Sequence, residues 1–175
     1  EKRFLRSTRK LIRAREHKNL NKRVEKIQAA AQTLAPEMLN GEMITAADEA
    51  FSHVIQTYFA MDAENAASIH KLRIAFKKFR YTLEIVHPLI PNFPDVNFER
   101  MHSYQSKMGD IQDMEVASQE LADFESLAPA SYNPEPARSF YKERHTLAVS
   151  RYIEDKGEVF TFWRSAPDQT YPQEK

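Results

Sequence analysis

Apolar positions recur every three or four residues through most of this chain, the spacing that gathers them on one face of an α-helix. Five helical segments follow from it. The first is expected from about Lys2 to Leu34, with Leu5, Ile12, Leu20, Val24, Ile27 and Leu34 along its seam, ended by Pro36 and Gly41. A second is expected after Thr45, whose hydroxyl can cap it, with Asp48 in its first turn and Phe51, Val54, Ile55, Tyr58 and Phe59 on its apolar side. Asp62 to Glu64 is a weak break, so the second and third segments are either one kinked helix or two. The third is expected from about Asn65 to His87 and stops at Pro88, because the stretch Pro88 to Pro94 is too rich in proline to be helical. A fourth is expected from about Asp95 to Leu127. After a break over Ala128 to Pro136, with Asn133 and Pro134 as cap and first residue, a fifth is expected to about Arg164.

No segment alternates with the period of a strand, and the chain has only three glycines. Long helices joined by short loops predict an all-α antiparallel bundle, a four-helix bundle plus one further helix. Residues 1–164 are expected to form one helical domain and 165–175 a polar tail. At 175 residues the chain can bury a sizeable core.

Composition narrows the chemistry. There is no cysteine, which excludes disulfides and thiolate metal sites. No apolar run is long enough to cross a bilayer and no signal-peptide pattern opens the chain, and the lack of cysteine fits a reducing cytoplasm, which is the expected location. The formal net charge is zero. That argues against a protein that coats nucleic acid over its whole surface. The charge is nevertheless segregated, since residues 1 to 28 hold 11 Lys/Arg against 3 Asp/Glu.

The third segment carries the most specific signal. Ile69, Leu72, Phe76, Phe79, Leu83 and Val86 fall on its buried face. His70, Arg73, Lys77, Arg80, Tyr81 and Glu84 fall on the flank beside it, with Lys71 and Lys78 pointing to solvent. Cations held against a core lose hydration and need an anion. Arginine offers a planar fork to phosphate, lysine a point charge, and histidine and tyrosine further donors. Spaced along a helix, such groups suit an extended polyanion better than one compact phosphate. The competing reading is a row of cations paired with carboxylates of neighbouring helices.

This spacing resembles the CHAD family, the conserved-histidine α-helical domain. Its motif of His, two residues, Arg, three residues, Lys, two residues, Arg-Tyr, two residues and Glu maps onto His70, Arg73, Lys77, Arg80, Tyr81 and Glu84. A second family element, a Gln before a hydrophobic-Gly pair and a following Asp, maps onto Gln105, Met108-Gly109 and Asp113. The resemblance implies noncatalytic binding of inorganic polyphosphate, with no cofactor and with polyphosphate granules as a location. His70, Arg73, Lys77, Arg80 and Tyr81 would form the core of the site. Arg6, Arg9 and Arg13 on the first segment would form a second wall, with Lys107 as a further contact. Glu84, Gln105, Gly109 and Asp113 are read as supporting residues. Glu84 would orient a neighbouring cation and Asp113 would anchor a buried one. Gly109 would admit the close approach of another helix.

Full CHAD domains contain two related bundles, each with its own motif, whereas this chain has one clear copy. Either two chains pair as a homodimer to restore the missing half, or the chain is a fragment or a reduced domain. Two other functions compete. One is a helical interaction module whose basic face meets an acidic partner. The other is a metal- or phosphate-dependent enzyme, suggested by Glu84 with His87 and Glu99 with His102, both Glu-x-x-His, with Glu49 and Glu25 as the remaining carboxylates. No phosphate-cradling glycine loop, nucleophile elbow or His-Glu-x-x-His occurs. Tyr141, Tyr152, Phe160, Phe162 and Trp163 are expected to pack a helix end.

Overall fold

The structure is a computed structural model that describes residues 36–129 and 131–170. The chain divides into two compact units, residues 1–43 and 44–175. The first predicted helix, and with it Arg6, Arg9, Arg13 and Glu25, lies outside the described residues. Within them the fold is all-α: helices α1 (Pro36–Phe59), α2 (Ala66–Val86), α3 (Val96–Glu125) and α4 (Glu135–Asp155). Short 3-10 turns follow α2 (His87–Leu89) and α4 (Lys156–Thr161).

Two boundaries differ from the periodicity reading. Helix α1 starts at Pro36 and runs through Gly41 and Thr45. A proline in the first turn gives up no intrahelical hydrogen bond, so Pro36 can open this helix. The last helix ends at Asp155, and Lys156 to Thr161 tighten into a 3-10 turn. The other ends follow local chemistry. Asn65 caps α2 by accepting from the Ala67 amide at 3.1 Å. The Ser68 hydroxyl ties back to the Asp62 carbonyl at 2.7 Å, so α1 and α2 are two helices and not one kinked one. Asn133 accepts from the Glu135 amide at the start of α4.

The core of the second unit is aromatic. Phe76 of α2 meets Tyr104 of α3 at 4.8 Å between ring centres and Phe162 at 5.5 Å. Phe79 meets Phe51 of α1 at 5.0 Å and Trp163 at 5.9 Å. Val159, Phe162 and Trp163, beyond the end of α4, are buried and close the bundle. They are pinned from two sides. Asp48 of α1 accepts from Trp163 Nε1 at 2.8 Å and from Arg164 Nε at 2.9 Å. Arg100 of α3 reaches Glu158 at 3.0 Å and the Thr161 hydroxyl at 3.0 Å. Of the expected helix-end aromatics, Tyr152, Phe162 and Trp163 are buried, Tyr141 is half-buried and Phe160 is exposed.

Burial raises the pKa values of two core phenols, Tyr104 and Tyr152. Tyr152 is pushed up to about 12. Tyr104 is pushed up further, by its burial and then by the neighbouring Tyr152. Both phenols stay neutral, sharing a hydrogen bond of 3.2 Å, and Tyr104 also donates to the Lys156 carbonyl at 3.1 Å.

Candidate functional site

The apolar face of α2 fixes the site. Ile69, Leu72, Phe76, Phe79, Leu83 and Val86 are all buried. Burying that seam places His70, Arg73, Lys77 and Arg80 on the margin between core and solvent, where each is half-buried. Ten residues separate His70 from Arg80, about 15 Å along the helix. Helix α3 runs antiparallel beside this margin, with Gly109 level with Arg73 and Gln105 level with Arg80.

The four cationic positions are not equivalent. Arg80 is held: its Nη1 donates to Glu84 Oε1 at 2.7 Å and its Nε to Gln105 Oε1 at 3.1 Å. Arg73 makes no ion pair among the described residues, and its Nε is buried without a hydrogen-bond partner. Its guanidinium lies over Gly109, where a Cβ would meet Nε at 3.6 Å and Nη2 at 3.7 Å. The element that approaches Gly109 is thus an arginine side chain and not a helix backbone. Nδ1 of His70 is likewise buried without a partner. Lys77 has no carboxylate partner among the described residues, and its ammonium sits 5.6 Å from the centre of the Tyr81 ring. The Arg80 guanidinium lies 4.7 Å from the same ring. Tyr81 therefore gathers two cations on its ring, a role that the spacing alone, which suggests a hydroxyl donor, does not reveal.

Lys107 and Asp113 lie apart from this arrangement. Lys107 pairs with Asp155 of α4 at 2.5 Å. Asp113 is exposed and pairs with no cation among the described residues. Both line a cleft of about 220 Å³ between α3 and α4. No three His, Asp or Glu side chains gather as a metal site among the described residues. Glu84 is engaged by Arg80, and His87 faces Asp95 and the Phe93 carbonyl, each at 3.4 Å.

The family model for the CHAD domain matches residues 1–122, more than two thirds of the chain. The chain belongs to the CHAD-domain family, a class of helical domains that act generally as binding modules and are known for binding polyphosphate. No curated protein and no solved structure matches it significantly. The match ends within α3, so the closing segment of Tyr152, Val159, Phe162 and Trp163 lies beyond it. No helix among the described residues is long and apolar enough to cross a membrane.

Proposed function

We propose that this domain binds inorganic polyphosphate, without catalysis, along the outer flank of α2. His70, Arg73, Lys77 and Arg80 would contact the chain, and Tyr81 would hold Lys77 and Arg80 together. The observation that carries this reading is that Arg73 and Lys77 pair with no carboxylate among the described residues, with a buried Arg73 Nε lacking a hydrogen-bond partner. A half-buried cation without an internal anion favours an external one. A ribbon about 15 Å long suits several linked phosphates better than one. Arg6, Arg9 and Arg13, which lie outside the described residues, are proposed as further contacts to the same polyanion. Titration with polyphosphate, orthophosphate and duplex DNA at two salt concentrations tests this. Polyphosphate should bind tightest, with affinity falling as salt rises. Equal affinity for DNA, or no binding, would remove the assignment.

A second reading has an observation of its own. Ile74 and Ile85, on the outer side of the same helix, are 53% and 67% exposed. An acidic protein partner with apolar side chains would use both the cations and this stripe. Changing Ile74 and Ile85 to Ser should leave polyphosphate affinity unchanged and would weaken only such a protein contact.

A further inference from the structure

Past Ile111, helix α3 buries nothing, and α4 buries only Tyr152. Their distal halves continue beyond the core as a two-helix hairpin. The two helices are tied to each other by Arg138 with Glu125 and by His145 with Glu115 at 2.9 Å, and Phe124 meets the ring of Tyr132 in the connecting loop at 5.3 Å. Helical spacing puts Val116, Glu120 and Phe124 on one stripe of α3, and Phe140, Arg144, Leu147 and Arg151 on one stripe of α4. The cleft between the two helices sets Arg144, Leu147 and Arg151 of the α4 stripe beside Asp110 and Asp113 of α3. Val116, Phe124, Phe140 and Leu147 are 42% to 54% exposed, and Leu127 at the tip is 87% exposed. Single exposed apolar residues are ordinary. Five of them on the distal half of a hairpin that has no core of its own leave apolar surface that awaits a second layer.

Charge identifies the occupant. The stretch of α3 from Gln112 to Glu125 holds five carboxylates and no Lys or Arg. The stretch of α4 from Pro136 to Arg151 holds four Lys/Arg (138, 142, 144 and 151) against Glu143. Apart from the Glu125–Arg138 and Glu115–His145 pairs inside the hairpin, this leaves Asp113, Glu120 and Asp123 on an acidic rail and Lys142, Arg144 and Arg151 on a basic one, a pattern complementary to itself after a half-turn. We infer that the partner is a second copy of this chain, the two hairpins closing into a four-helix bundle about a two-fold axis parallel to the hairpin. That axis lays α3 of one copy along α4 of the other, acid against base. A two-fold axis running across the hairpin would set α3 against α3, and carboxylates against carboxylates. The contact uses none of the cations of α2, so it stands or falls independently of phosphate binding.

The test is light scattering and sedimentation of the full chain, with three variants. The parent should be a dimer. Phe140→Asp with Leu147→Asp should be a monomer with the helix content of the parent. Arg144→Glu, a milder change at an exposed position, should weaken the dimer by about tenfold or more. Because the chain has no cysteine, Leu127→Cys gives a single spin-label site at the hairpin tip. The inferred axis brings the two tips together, so the labels should couple strongly by pulsed dipolar spectroscopy. A parent that stays monomeric at its highest soluble concentration would overturn the inference. So would a dimer indifferent to all of these substitutions, or one whose tip labels are too far apart to couple.

Discussion

Two sets of half-buried cations divide this molecule. Arg100, Lys107 and Arg164 each meet a carboxylate of another element, Glu158, Asp155 and Asp48 respectively. They act as rivets that hold the closing segment and α4 against the rest of the bundle. On α2, Arg73 and Lys77 have no such carboxylate among the described residues, and Arg80 shares Glu84 and Gln105. Lys156 also lacks a carboxylate among the described residues, but it stands apart from α2, 5.9 Å from the Tyr58 ring. The difference teaches that the margin of α2 is kept short of anions where it could have been neutralised. Breaking a rivet should cost stability and spare binding, and removing an unpaired cation should do the reverse.

The largest expected effect is on the unpaired set. Arg73→Gln with Lys77→Gln should lower polyphosphate affinity by about a hundredfold, since a charge-assisted contact contributes about 1.5 to 3 kcal/mol. The urea midpoint should not fall. On the paired set, Asp48→Ala removes the carboxylate that accepts from Trp163 Nε1 and faces the Arg164 guanidinium and should destabilise the fold by about 2 to 4 kcal/mol in urea unfolding. Under conditions where it is folded, this variant should bind polyphosphate as the parent does.

The next contrast lies inside the core. Tyr104 and Tyr152 hold their protons more tightly folded than unfolded, so the folded state binds more protons above pH 10. Their contribution is complete below pH 10 and is lost as the pH rises towards 12. Thermal stability should fall across that window, and less steeply in Tyr152→Phe. Tyr81 tests the role of the ring. Tyr81→Phe should bind nearly as well as the parent, whereas Tyr81→Ala should lose about 0.5 to 1 kcal/mol of binding as Lys77 and Arg80 spread apart. The smallest effect belongs to Gly109. Alanine there makes only ordinary contact with Arg73, so Gly109→Ala should stabilise the helix by up to about 1 kcal/mol. Gly109→Leu should push the guanidinium aside and weaken binding.

Much of this was legible in the sequence, and the limits have physical causes. The seam of α2 and the flank beside it follow from a period that Ile69, Leu72, Phe76, Phe79, Leu83 and Val86 obey, with Ile74 and Ile85 as exposed exceptions. The start of α1 was misread because a proline closes one helix and opens the next with equal ease, and the neighbouring Gly41 strengthened the wrong choice. Pairing across elements left no local trace. Nothing near Lys107 announces Asp155, and nothing near Asp48 announces Trp163 and Arg164 more than a hundred residues later. Gly109 drew notice as a mid-helix glycine, but only packing reveals that an arginine lies over it.

The central claim is that Arg73 and Lys77 are reserved for an external polyanion. Its most direct measurement is the salt dependence of polyphosphate affinity for the parent and for Arg73→Gln with Lys77→Gln. The slope of log affinity against log salt should be shallower in the variant by about 1.4, two phosphate contacts at about 0.7 each. A variant that keeps both the affinity and the slope of the parent would contradict the claim.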